Sequence, residues 1–308
     1  MKTGYLHPQY PESLSEWGTP HELPRCGGWI LERQIPGFPH RDAMGCYPLF
    51  MCQDWAQLAP DLLELGDDLV SLALVTDPFG DYDEAFLHRY FDVVLPFKEH
   101  YIVDLHRPIK EFVSRHHVRY ARKAFENIRT EVCQDPVQHV DEWTDLYGTL
   151  SKRHSITGIR AFSRTAFLKQ LSIPGLVMFR AIHQDTVIGE ALWFVQGEVA
   201  YGHLMGISEV GHTLGASYAI YWSSLQYFSD KIHWLDWGGT SGIKNNEADG
   251  LSQFKRGWST GTRIAFFCGK IMNHKIYTVL TEGSLLPETN YFPAYRSGEM
   301  GKSESSSS

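Results

Sequence analysis

After Pro174 the spacing of apolar residues changes from a helical period to alternation, and this switch limits the fold more than any other feature. Three extended runs follow: LVMFRAIH (176–183), TVIGEALWFVQ (186–196) and EVAYGHLMGIS (198–208). Gln-Asp and Gln-Gly-Glu separate them, links of hairpin length, so the runs predict a three-strand antiparallel meander. GASYAIYWSSLQYFSDK (215–231) then reads as a helix entered through glycine. HWLDWGG (233–239) reads as a strand running into a glycine turn, and TRIAFFCG (262–269) as a late strand after a loop.

Helical patterns precede the meander. Pro108 suits a first helical turn, where its missing N–H costs nothing, and one helix is expected to follow it through Arg129. Ile109, Phe112, Val113, Tyr120, Ala124 and Phe125 form its apolar stripe; Arg115, His116, His117, Arg119, Arg122, Lys123 and Arg129 make the other face basic. That face is either a solvated surface or a site for an anionic substrate or donor. Residues 139–156 predict a second helix and 163–172 a third, with Ser163 as its N-cap. Further upstream, 28–36 and 69–79 read as strands, 54–67 and 83–91 as helices, and 91–105 as two short extended stretches.

Helices flanking a mixed, mainly antiparallel sheet make an α+β fold. Residues 1–24, rich in Pro, Ser and Glu, are expected to form an irregular arm, and 286–308, ending in Lys-Ser-Glu-Ser-Ser-Ser-Ser, a disordered tail.

Composition removes several function classes. A net charge of −8 over 308 residues gives no general support for gripping nucleic acid, leaving only the basic helix as a local patch. The five cysteines are scattered without a CxxC pair, so no metal site and no disulfide framework is expected. No run of about 20 apolar residues occurs, as a membrane helix would need, and the polar start lacks a signal-peptide core. A cytoplasmic protein is the expectation.

The order of elements resembles the GNAT fold, in which antiparallel strands precede a central helix and a further strand follows it. Four segments resemble the Fem-like branch of that superfamily: RYARKAFENIRTEV (119–132), ASYAIYWSSLQYF (216–228), HWLDWGGTSG (233–242) and GLSQFKRGW (250–258). The resemblance covers about residues 105–270. It implies a degenerate GNAT-like half over 25–105 and a catalytic half over 106–285. Two departures stand out: HTLGAS (212–217) replaces the usual coenzyme A loop pattern at its first and last residues, and the long helical-hairpin arm of many Fem enzymes is missing.

The resemblance implies an acyltransferase that joins an activated acyl or aminoacyl group to an amine, by direct attack and without a covalent enzyme intermediate. Such a step needs a neutral amine, a positioned carbonyl and donors for the developing oxyanion. Aminoacyl-tRNA and acyl-CoA both stand as donor co-substrates, with no tightly bound cofactor. The acceptor is a small-molecule or peptide amine, and the acceptor end of tRNA is a candidate partner. Lys255 and Phe254 match the Phe-Lys pair that the family uses at the donor end, so Lys255 is the candidate for phosphate or oxyanion and Phe254 for stacking or shaping the cleft. Asp236 is a candidate base or a turn cap. His212, Gly215, Ser217 and Arg256 are candidate donor-binding residues, since a helix start offers N–H groups to an anion. Tyr218, His203 and Glu190 are candidates to face the acceptor; packing roles compete for all three.

Two other readings remain open from the residues. One is a non-catalytic binding or scaffold protein on a decayed GNAT fold, motivated by the altered HTLGAS loop. The other is an RNA-binding module, which rests on the basic helix alone.

Overall fold

The computed structural model describes residues 2–239, 250–282 and 291–299. In chain order the first elements are α1 (Gln9–Ser13), β1 (Thr19–Leu23), β2 (Gly28–Gln34), β3 (Arg41–Gly45), α2 (Leu58–Glu64), β4 (Leu69–Val75), α3 (Glu84–Tyr90) and β5 (Val93–Asp104). Then come α4 (Ile109–Phe112), α5 (Arg115–Ala124), β6 (Arg129–Val132), α6 (Val140–Arg153), α7 (Arg164–Leu171), β7 (Leu176–His183), β8 (Thr186–Gln196) and β9 (Val199–Ile207). The last are α8 (Glu209–Leu214), α9 (Ala216–Phe228), β10 (Trp234–Asp236), α10 (Gly250–Arg256), β11 (Gly261–Ile271) and α11 (His274–Glu282). The α+β class expected from the sequence is the class observed.

The chain divides into two compact units, and neither is a continuous stretch. One comprises 1–10, 98–156 and 163–264; the other comprises 11–97, 157–162 and 265–308. The linear division at 105/106 expected from the sequence is therefore not the observed one, because the chain passes between units within β5 and again within β11.

In the first unit the strands run in the order β5, β10, β9, β8, β7, β6. β7, β8 and β9 form the antiparallel meander, with Phe179 opposite Ala191 and Ala191 opposite Met205. Side chains alternate along β8. Ala191 and Trp193 join Phe179, Ala181, Ala200 and Leu235 in a core shared with α5 and α9. Glu190, the residue before Ala191 on β8, points to the other face, where it meets Arg180, which also holds Glu142 of α6. Helices α5 and α9 thus cover one side of this sheet, and α6 and α7 the other.

β9 and β10 are parallel and pair over only three residues each, Val199–Tyr201 with Trp234–Asp236. β9 continues to Ile207 while β10 ends at Asp236 and turns at Gly238, whose φ of 78° lies in the left-handed region that glycine tolerates. The pair therefore opens at its C-terminal end, the end from which the chain leaves β9 toward α8 and α9.

Several local expectations need correction. The helix expected from Pro108 onward is interrupted: Val113 and Ser114 are extended, and the Ser114 hydroxyl caps a new helix by accepting the His117 N–H. Residues 129–132 leave the helix to form β6, pairing with β7 from Ile182 to Phe179. The segment read as a loop before the late strand is the helix α10. The two extended stretches of 91–105 are one strand of twelve residues.

The second unit has the strand order β1, β2, β3, β4, β11, with β3 and β4 parallel and the other neighbours antiparallel. Its core gathers Ile30, Phe50, Leu58, Leu72 and Leu87. The expected irregular arm carries α1 and β1, with Thr19 to Leu23 paired to β2. Within the expected disordered tail, Arg296 is buried and holds the fully buried Asp42 through two of its nitrogens, Nε at 2.5 Å and Nη2 at 2.9 Å. A buried carboxylate needs such a partner, which is why this part of the tail is packed.

Candidate functional site

Outside the expected donor loop, the candidate residues of the first unit fall into three places. The first is the turn that ends β10. Lys255, on α10, is 7% exposed and its Nζ donates to the Gly239 carbonyl at 2.6 Å. A Cβ added to Gly238 would stand 3.5 Å from the same Nζ. Asp236, 1% exposed, accepts the Gly238 N–H at Oδ1 (2.7 Å) and faces His100 Nδ1 with Oδ2 (2.7 Å). Both oxygens of Asp236 thus have partners, so the carboxylate caps the turn and holds His100. His100 lies on β5, which pairs antiparallel with β10, and no motif in the sequence marked it.

The second place is an open cleft of about 550 Å³ between α4–α5, the start of α9 and α10. Phe112, His116, Tyr218, Gln253, Phe254 and Arg256 line it. Tyr218 stacks on Tyr120 of α5, ring centres 5.2 Å apart, and meets Phe254 edge-on at 5.0 Å. Phe254 also packs edge-on against Tyr221, which stacks on Trp237 at 4.0 Å, one residue beyond Asp236. The aromatic wall thus leads from the cleft toward the β10 turn. Burial, with Tyr120 adding to it, raises the Tyr218 phenol above its ordinary pKa. Burial likewise raises Tyr221, and the Asp236 carboxylate adds to that.

His117 fixes α10 against α5. Its Nε2–H donates to the Phe254 carbonyl (3.0 Å), and its Nδ1 accepts from the Ser114 hydroxyl (2.5 Å). Burial lowers the His117 pKa against the opposing pull of the Phe254 carbonyl, and His116 lowers it further. Burial thus favours the neutral ring, the form whose Nδ1 can accept from the Ser114 hydroxyl. The Gly257 carbonyl accepts the Ser114 N–H, closing the junction.

The third place is the opposite face of the sheet, and it separates two expected residues from the rest. Glu190 is fully buried with Arg180 against its Oε1 at 3.2 Å, and burial first, then the neighbouring Glu142, pushes its carboxyl up to about 9. His203 is clamped between the Tyr5 hydroxyl at Nδ1 and Gln170 of α7 at Nε2, and burial lowers it to about 3. Both sit on the α6–α7 side, away from Tyr218 and Phe254. They do not share a face with the other candidates, and their contacts are structural.

The expected donor loop is split between helices. His212 is exposed on α8, its pKa lowered by partial burial first and then by Arg153 and His154. Gly215, with φ 78°, joins α8 to α9 in a left-handed link, and Ser217 is half-buried in the first turn of α9. Of the four donor candidates, only Arg256 lines the cleft.

Asp104, His106 and His233 offer ligand atoms within 4.8 Å of one another. The two imidazoles are stacked, centres 3.9 Å apart and planes 18° from parallel. Their in-plane lone pairs therefore lie side by side, and one ring has to turn before both can reach a single ion. The second unit has a cleft of about 450 Å³ rich in acids. Those acids are engaged locally: Glu32 pairs with His21 and Arg41, and Asp61 accepts the Arg25 and Cys26 N–H groups.

Comparison with known proteins yields no matching family model and no matching curated relative. Solved structures do match. FemX is 13% identical, over 82% of this chain and 86% of that one, with a TM-score of 0.61. The C-terminal domain of a putative lysylphosphatidylglycerol synthetase from Agrobacterium fabrum is 14% identical over 88% and 95%, TM-score 0.60. L-PGS from Bacillus licheniformis is 14% identical over 90% and 95%, TM-score 0.59. The chain thus shares the fold of these three structures, FemX among them.

Proposed function

We propose that the first unit is an N-acyltransferase centre that joins an activated acyl or aminoacyl group to an amine acceptor. The observation that carries this reading is the seat of Lys255. A nearly buried ammonium is fixed at 2.6 Å to the Gly239 carbonyl, where a parallel strand pair opens, with an aromatic cleft on the same helix. An ammonium held there is in place to meet charge developing on a carbonyl oxygen, and fixed donors of this kind lower the barrier most. The fold, shared with FemX and with proteins whose names specify lysylphosphatidylglycerol synthesis, agrees with aminoacyl transfer.

The cleft has the chemistry of a donor site. Tyr218 and Phe254 offer faces for a base, and Arg256 with the basic side of α5 offers charge for phosphates. Aminoacyl-tRNA, through its acceptor end, and acyl-CoA both carry a base and phosphates. The donor is a co-substrate, and the step needs no tightly bound cofactor. Both donors are cytoplasmic, so the reading places the reaction there; among the described residues no helix is long and apolar enough to cross a membrane.

Incubation with charged tRNAs or acyl-CoAs and a panel of amines, followed by mass analysis, tests the reading. An amide product that disappears in Lys255→Ala supports it. Unchanged turnover in Lys255→Ala rejects the role of that residue.

A further inference from the structure

His100 has the features of a proton acceptor. It is 7% exposed on β5, and its Nδ1 lies 2.7 Å from Oδ2 of Asp236, which is itself 1% exposed. A carboxylate only accepts, so Nδ1 carries a proton, and in the neutral ring Nε2 presents its lone pair. The other oxygen of Asp236 is held by the Gly238 N–H at 2.7 Å, which fixes the carboxylate and through it the ring. Among the described residues Nε2 has no hydrogen-bond partner. A Cβ added to Gly239 would come within 3.5 Å of His100 Cδ2, the carbon next to Nε2, so the missing side chain leaves the ring edge uncovered on that side. The carbonyl of the same Gly239 holds Lys255.

We infer that His100, oriented by Asp236, takes the proton from the acceptor amine in the acyl transfer proposed above, on which this inference rests. Asp236 is then a positioning residue and not the base. The amine nitrogen bonds to the acyl carbon, and the bond from that carbon to the donor's oxygen or sulfur breaks. The amine proton passes to His100 Nε2 and from there to the departing oxygen or sulfur, so the enzyme ends as it began. Lys255 meets the carbonyl oxygen while His100 meets the amine, and the Gly238–Gly239 turn lies between them. Among the described residues, the charged and titratable groups around the turn are Asp236 from β10, Lys98 on the same strand as His100, Lys255 from α10 and the Tyr221 phenol from α9.

The tests are a rate–pH profile and the ring tautomer read by nitrogen-15 NMR of the full chain. In wild type, kcat/KM falls on the acid side as the acceptor amine and one enzyme group each take a proton. In His100→Gln the rate drops about 10²–10⁴-fold and the enzyme's share of the acid limb disappears, leaving that of the acceptor amine. In Asp236→Asn the amide oxygen is needed by the Gly238 N–H, which turns the NH2 toward Nδ1 and forces the ring proton to Nε2. The spectrum then changes from the Nδ1–H to the Nε2–H form, with a similar loss of rate and an unchanged melt. An acid limb as steep in His100→Gln as in wild type, alongside product loss in Lys255→Ala, overturns the role of His100 and leaves the transferase reading standing. An Nε2–H tautomer in wild type overturns it without any activity. No amide from any donor overturns the transferase reading and the base with it.

Discussion

A Cβ built on Gly257 would stand far inside contact distance of the Cε1 of His117, so these two residues fit together only because one of them is glycine. The contact lets His117 donate to the Phe254 carbonyl and lets Ser114 donate its N–H to Gly257, which locks α10 onto the start of α5. The cleft wall and Lys255 both ride on α10. A change at Gly257 should therefore reach the chemistry through position alone.

Gly257→Ala is predicted to destabilise by about 1–3 kcal/mol, the usual result of overpacking a close contact. It should also cost more activity than the lost stability explains. Thermal melts and turnover, measured together below the melting range, check both.

Tyr218→Ala and Phe254→Ala should each raise the KM for a donor carrying a base by about 5- to 150-fold, with a smaller change in kcat. That range corresponds to about 1–3 kcal/mol for one stacked base. A fall in kcat alone would place the donor elsewhere.

Glu190 gives a stability prediction with a definite sign. Its carboxyl is raised to about 9 when folded, so between about pH 4.5 and 9 the folded chain holds a proton that the unfolded chain releases. Stability should therefore fall as pH rises through that window. The groups facing Glu190 are Arg180 from β7, Glu131 from β6, Glu142 from α6 and, near them, Cys133. In Glu190→Gln the pH dependence of the melting temperature should flatten over the same range, with little loss of rate.

Arg296→Ala removes the two shortest contacts of a fully buried Asp42, leaving Arg33 at 3.4 Å as its remaining ion-pair partner. Breaking a buried pair on one side costs about 3–5 kcal/mol, and Arg33 should reduce that loss. Denaturant melts should show the second unit weakened, whereas a disordered segment would show no effect.

How far the sequence disclosed this differs by element. The meander was legible because alternation runs unbroken through 176–208 and the links are too short for anything but hairpins. Helix α9 was legible from its length. Strand β6 was hidden because Arg129 to Val132 follow a helical stripe without a breaker, and only pairing with β7 draws them into the sheet. Helix α10, seven residues long, is too short to show a period. Lys255 and Phe254 were found through the motif they sit in. His100 left no signal, since it lies in an ordinary strand 136 residues from Asp236, and the pair exists only because β5 and β10 are neighbours. Glu190 and His203 sit on neighbouring strands of the meander, and their face was not legible. At His203 β9 carries one residue more than β8, so counting by twos misplaces it.

The most direct measurement is a structure of the full chain bound to a non-reacting aminoacyl-adenosine or acyl-CoA analogue. The account predicts the base against Tyr218 and Phe254, with the acyl oxygen within hydrogen-bonding distance of Lys255 Nζ at the Gly238–Gly239 turn. An analogue seated on the α6–α7 side, with its carbonyl out of reach of that ammonium, would contradict it.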